Sequence, residues 1–216
     1  MPKIHPRGGG FIVKCVHGFF RKPRVTTAGR VTGDAARLTP PPRRLQEFPQ
    51  LGHGPDPTDT AMTRANPRFA EGMPYQMNCT NCVVTAEHRI RGLDVTAQPL
   101  AWGRPYGTAS NQWVKPDGSP VQVHHVGPNS AEAMDGVFPD GARGLIEAGW
   151  ASNPGAHIWS WEARDGRIQY LDPQSGELDA RHYFKHIESG TMWRVDDADF
   201  IGFPPEDWML PHDPHP

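Results

Sequence analysis

An α+β domain behind a basic, loop-rich arm is the architecture that the sequence predicts, and three observations predict it. Gly and Pro supply 23 and 24 of the 216 residues, a share that excludes a helix bundle or a coiled coil and calls for many loops. The charge is divided: residues 1–50 carry ten Lys/Arg against Asp34 and Glu47, whereas the rest of the chain carries 12 Lys/Arg against 22 Asp/Glu. Sustained apolar periodicity is missing before about residue 59 and sets in after it, first at helical and then at strand spacing.

Residues 1–58 contain Gly8-Gly9-Gly10, Pro40-Pro41-Pro42 and the Gly52–Pro57 stretch, and they read as a basic, Pro/Gly-rich, disordered arm. A short ordered patch at Phe11–Phe20 is the exception. The folded domain is expected over 59–216. Residues 79–91 form its helix: Asn78 suits the N-cap, Gly92 suits the stop, and Cys79, Cys82, Val83, Ala86 and Ile90 make one apolar stripe. Asp94–Ala97 is a short strand, and 103–141 is a long irregular insertion. Three apolar runs follow at Gly144–Trp150, His157–Ala163 and Arg167–Leu171, the last two joined by the hairpin turn Asp165-Gly166. In the second run His157, Trp159 and Trp161 share one face, while Ile158 and Ser160 share the other. Trp150, Trp159, Trp161 and Trp193 are expected in the core. Residues 179–188 read as a short helix and Met192–Phe203 as a final strand.

No stretch approaches the roughly 18 apolar residues of a bilayer crossing. Phe11–Val13, broken by Lys14, is too short for a secretory leader. Three cysteines, Cys15, Cys79 and Cys82, do not make a disulfide framework.

The chemistry starts at the helix. Cys79 occupies the first helical position, where open backbone amides and the helix dipole favour a thiolate. A thiolate nucleophile needs a proton donor for its leaving group, and His157 begins a strand after the Asn153-Pro154-Gly155 turn. His157 and Asp172 lie eight and seven residues from the tip of the Asp165-Gly166 hairpin. Antiparallel pairing brings them to the same end of the sheet, where a carboxylate can orient an imidazole. Each residue has a plainer role open to it: Cys79 as a small core side chain, His157 as a satisfied strand histidine, Asp172 as the start of a turn. Cys82 competes with Cys79 but lies one turn further in, on the apolar stripe. The CxxC pair could also be half of a zinc site with His182 and His186, or a thioredoxin-like redox pair; both lack the setting those sites need. The basic arm could touch nucleic acid, a membrane surface or the acidic body of the chain itself, and it establishes no nucleic-acid partner.

Taken in order, Asn66-Pro67, Tyr75-Gln76-Met77-Asn78-Cys79-Thr80-Asn81-Cys82-Val83-Val84, Arg89-Ile90-Arg91-Gly92-Leu93-Asp94-Val95-Thr96-Ala97, Gly155-Ala156-His157 and Leu171-Asp172-Pro173-Gln174-Ser175-Gly176 resemble the papain-fold toxin family of glutamine deamidases. That family is found among bacterial polymorphic toxins and phage head-associated proteins. The resemblance spans about residues 60–203. It implies a papain-like fold, with an N-terminal catalytic helix packed on an antiparallel β-sheet, and a Cys79–His157–Asp172 triad that needs no metal and no cofactor. Asn78, Gln76 and Gln174 fall at oxyanion-binding or positioning places. Papain-like peptidases carry a Gln several residues before the nucleophile; Gln76 stands only three before, so the Cys79 amide is the better first donor.

The expected function is a cysteine-dependent protein-glutamine deamidase acting through a thioester. The resemblance implies a bacterial or phage product, delivered without a signal peptide into a target cytoplasm, with a protein substrate and a cognate immunity protein. A cysteine protease, a transglutaminase-like acyltransferase and a catalytically unused structural module are the alternatives.

Overall fold

The computed structural model describes residues 44–152 and 155–212. Cys15, the Phe11–Phe20 patch, and Asn153 and Pro154 of the expected turn lie outside the described residues.

Helix α1 spans Thr58–Arg64 and helix α2 spans Cys79–Ile90. Strand β1 is Val95–Ala97, β2 is Trp113–Val114, β3 is Val123–Val126, and a one-turn helix α3 covers Ser130–Ala133. Strands β4 (Arg143–Trp150), β5 (Ala156–Arg164) and β6 (Arg167–Leu171) follow. A 3-10 segment at Arg181–His186 leads into β7 (Ile187–Arg194), and the chain ends in β8 (Asp199–Phe200) and β9 (Met209–Pro211).

The expected helix, the first short strand and the three apolar runs form where the periodicity placed them. Gly92 ends α2 in the left-handed conformation, with φ at 99°. Asp165 and Gly166 both take positive φ in the tight β5–β6 turn. The helix itself differs from expectation. In place of one buried stripe, every residue from Cys79 to Arg89 is buried, because α2 is enclosed on all sides. Its polar residues therefore find protein partners: Glu87 pairs with Arg91 and Arg143, and Arg89 with Asp56 and Asp94.

The main sheet is antiparallel with strand order β3-β7-β4-β5-β6. Strand β7 starts at Ile187, earlier than expected, and stops at Arg194. The chain then turns at Val195–Ala198, and β8 pairs with β2 outside the main sheet. The insertion 103–141 is irregular in large part, yet it supplies the edge strand β3.

Strand alternation gives the sheet two different faces. On one, Leu145 and Ile158 pack with Cys79, Val83 and Val84 of α2 and with Trp208; Leu171 packs with Ala86. On the other, Ile146, Trp159, Trp161, Tyr170 and Met192 pack with Phe138, Tyr183 and Phe184. Gly144 lets β4 and β7 approach at the crossing, since a Cβ there would stand 1.7 Å from the Trp193 carbonyl oxygen. Of the four tryptophans expected in the core, Trp150, Trp159 and Trp161 fill the second face. Trp193 is only partly buried and packs toward the first.

The boundary expected between residues 58 and 59 falls inside the packed body. Phe48 is buried with Leu93, Val95 and Met209, the Leu51 amide bonds the Gly92 carbonyl, and Asp56 forms a buried ion pair with Arg89 at 2.8 Å. An isolated Phe among prolines carries no period, so the sequence pattern did not reveal this packing.

Candidate active site

His157 enters the site from the start of β5, and Asp172 from the residue after β6. The hairpin register that pairs Ser160 with Leu171 brings both to one end of the sheet. Their side chains, both almost wholly buried, meet with His157 Nε2 and Asp172 Oδ2 3.0 Å apart. A short turn fixes Asp172. Its N–H donates to the Glu177 carbonyl, and its own carbonyl accepts from Gly176 and Glu177. The carboxylate receives the Gln174 N–H on Oδ1 at 2.9 Å. Oδ2 receives Ser175 Oγ at 3.1 Å and the Tyr183 hydroxyl at 2.8 Å, besides His157. Burial alone would push the Asp172 carboxyl up. The charge and hydrogen bond of His157, with the Tyr183 and Gln174 donors, outweigh it and hold the group below the ordinary carboxylate range. The imidazole lies among aromatic rings: it stacks on Trp150 at 6.0 Å and on Trp159 at 5.9 Å between centroids, with Tyr183 edge-on at 5.6 Å.

The start of α2 is tied to the same loop. With its amide oriented so that both ends are satisfied, Gln174 Oε1 accepts the backbone N–H of Asn78 at 3.1 Å and of Cys79 at 2.9 Å. Gln174 therefore caps the helix, in the role expected of Asn78, whose side chain makes no capping bond. Asn78 Nδ2 instead donates to the Gln98 carbonyl at 3.3 Å, and its Oδ1 accepts the Cys82 thiol at 3.3 Å. Asn66 braces the assembly, donating to the carbonyls of Tyr75 and Gln174. The Gln76 side-chain amide donates to the Phe69 carbonyl at 3.3 Å. The Cys79 amide, expected to be open, is engaged by Gln174.

Cys79 and Cys82 are both buried thiols, neither in a disulfide. Cys79 packs with Ala109, Leu145 and Ile158 on the face that α2 covers. The His157 ring packs on the opposite face. The structure thus joins His157 to Asp172 directly, and joins the helix start to their loop through Gln174.

Two ionisable groups on the helix-covered side escaped the sequence reading. Glu147, in the middle of β4, is buried, and Oε2 accepts the Gly107 N–H at 2.9 Å and Ser110 Oγ at 3.4 Å. Burial pushes its carboxyl up to about 7, opposed in part by those two donors. A lone acid inside the apolar run Gly144–Trp150 was the signal for it. His88, on α2, stacks on Trp113 at 5.8 Å; burial, and next the Arg91 charge, push it down to about 3. Tyr183 carried no signal, since no spacing rule links it to Asp172.

Among the described residues no group of three or more His, Cys, Asp or Glu converges as a metal site. Among them, too, no helix is long and apolar enough to cross a membrane.

Residues 77–177, just under half of the chain, match the family model of papain fold toxin 1, glutamine deamidase. The matched segment opens just before α2 and closes at the Glu177 that ends the Asp172 turn. It bears out the resemblance read from the sequence, and the fold is the papain-like α+β fold expected from it. No curated protein and no solved structure matches the chain.

Proposed function

We propose that this protein is a cysteine-dependent protein-glutamine deamidase that acts as a toxin. One observation carries the reading. A buried His157–Asp172 pair closes a loop in which Gln174, two residues beyond Asp172, clamps the first turn of α2 where Cys79 stands. The match to the glutamine deamidase family covers all of these residues.

In the reaction, the Cys79 thiolate attacks the carboxamide carbon of a substrate glutamine. Asp172 holds the proton on Nε2 of His157, which leaves Nδ1 to move protons. The carboxamide oxygen takes the place of Gln174 Oε1 on the amides of Asn78 and Cys79, where the helix start favours an anion. His157 protonates the departing nitrogen, ammonia leaves, and a Cys79 thioester remains. His157 then takes a proton from water, the hydroxide attacks the thioester, and a glutamate side chain is released as the thiolate returns.

The toxin description of the matched family supports a protein target; action in the cytoplasm of a recipient cell, and an immunity protein in the producer, belong to the proposal. Intact-mass analysis of candidate target proteins after incubation tests the reading. Amide-to-acid mass gain at a single glutamine, lost in Cys79→Ala, is the expected result. Fragments would make the protein a protease, and crosslinked products an acyltransferase.

A further inference from the structure

Tyr183 lies outside the segment that matches the family model, yet its hydroxyl touches the centre of the site. It donates to Asp172 Oδ2 at 2.8 Å, the same oxygen that faces His157 Nε2. The same hydroxyl stands 3.2 Å from Glu177 Oε2. A phenol has one proton to give, so the two carboxylates compete for it. We propose that Tyr183 is a positioning residue that sets the basicity of the His157–Asp172 pair, sharing its single hydroxyl proton between buried Asp172 and the surface carboxylate of Glu177.

Several features favour this arrangement over an ordinary buried tyrosine. The ring is locked by Trp150, Trp159 and His157, each within 6 Å between centroids, so the hydroxyl cannot swing away. Burial, with Asp172 next and Glu177 after it, raises the phenol's affinity for its proton, so Tyr183 acts only as a donor. Glu177 is 37 % exposed at its side chain and is within 3.6 Å of His182 Nδ1, so solvent conditions reach it directly. His157 faces Asp172 from β5, Tyr183 and His182 face Glu177 from the 3-10 segment, and Arg181 turns instead to Glu132 and Asp135. A proton drawn toward Glu177 leaves Asp172 more basic and the imidazolium better held; a proton given wholly to Asp172 does the reverse.

The role assigned to His157 as proton carrier rests on the proposed deamidase reading, but the coupling itself is measurable without substrate. The experiment follows the His157 ring protons by NMR through a pH titration of the full chain, assigned by their loss in His157→Gln. Tyr183→Phe removes the donor and should move the His157 midpoint upward, with its Nε2–H resonance further downfield. Glu177→Gln replaces the competing carboxylate with a neutral, weaker acceptor, and should move the midpoint downward. Opposite shifts support the relay. A Tyr183→Phe protein that is merely less stable, with the His157 midpoint and resonance unmoved, overturns it, as do shifts of the same sign in both variants. If Tyr183→Phe fails to fold, Glu177→Gln alone decides: a downward shift that persists in high salt, where the direct effect of losing a partly exposed charge is screened, supports the proposal, and an unmoved midpoint or a shift that salt abolishes overturns it. Absence of deamidase activity in the native protein would sink the functional reading and leave the titration result standing.

Discussion

On one face of the central sheet, Asp172 is wholly buried and surrounded by four donors, one of them a histidine that can share its charge. On the other, Glu147 has two donors on one oxygen, and His88 Nε2 has no hydrogen-bond partner among the described residues. Burial is nearly equal, and the consequences are opposite. Asp172 is held below the ordinary carboxylate range, whereas Glu147 rises to about 7 and His88 falls to about 3. Removal from water always opposes charge; donors and a counter-charge decide whether it succeeds. Charge is kept where a counter-charge meets it, at Asp172 and in the Glu87 and Arg89 pairs of α2, and is suppressed at Glu147 and His88, which have none.

The strongest way to break this comparison is to unbalance the charged face. Asp172→Asn keeps the shape but offers His157 the wrong partner, and deamidation should fall by roughly a thousand- to ten-thousand-fold. A fall of only a few fold in turnover would show that the pair is ornamental to catalysis. Cys79→Ala should remove activity altogether and Cys82→Ala only part of it, read by the same mass assay.

Next in size is the acid limb of stability. His88 is neutral in the fold and charges near 6.5 once unfolded, so its contribution is complete above that pH and is lost as pH falls toward about 3. His88→Gln should flatten denaturant midpoints across that window, by up to about 5 kcal/mol. Glu147 works in the other direction. The fold retains a proton that the unfolded chain releases near 4.5, so its contribution is complete below that pH and is lost as pH rises through about 7. Glu147→Gln, which keeps an acceptor for Gly107, should remove a downward slope of about 3 kcal/mol between those values. An unchanged slope in either variant would mean that the two faces do not differ as described. The smallest effect belongs to Ser175→Ala, which takes away one donor of the four around Asp172 and should cost about 1 kcal/mol of stability.

Local rules made much of this legible. The 79–90 helix, the glycine that stops it, the Asp165-Gly166 turn and the strands on either side all follow from short-range pattern. The His157–Asp172 contact followed as well, because equal distances from a hairpin tip become neighbours by geometry. Long-range choices stayed hidden. The alternation of His157 and Trp159 against Ile158 and Ser160 was plain, but nothing local says which face a helix 70 residues upstream will cover. Val123–Val126 pairs with Gly190–Trp193, and so short a segment carries no period strong enough to announce an edge strand. Phe48 and Asp56 looked like linker because their partners, Leu93 and Arg89, lie more than 30 residues on. Gln174 could be flagged by its block, but its part as a helix cap exists only once the β6 turn reaches α2.

The indole rings beside His157 also make the site its own optical gauge. Trp150 and Trp159 lie nearly parallel, 6.5 Å apart with 7° between their planes, and the imidazole stacks against both. Two transition dipoles held that close couple, and a neighbouring cation quenches an excited indole more strongly than a neutral ring does. Each time His157 gains or loses its proton, the emission of this pair and its circular dichroism should change, with no label added and no substrate present. Stopped-flow fluorescence, calibrated with Trp150→Phe and Trp159→Phe, would then follow the proton on His157 in real time while a target protein is turned over.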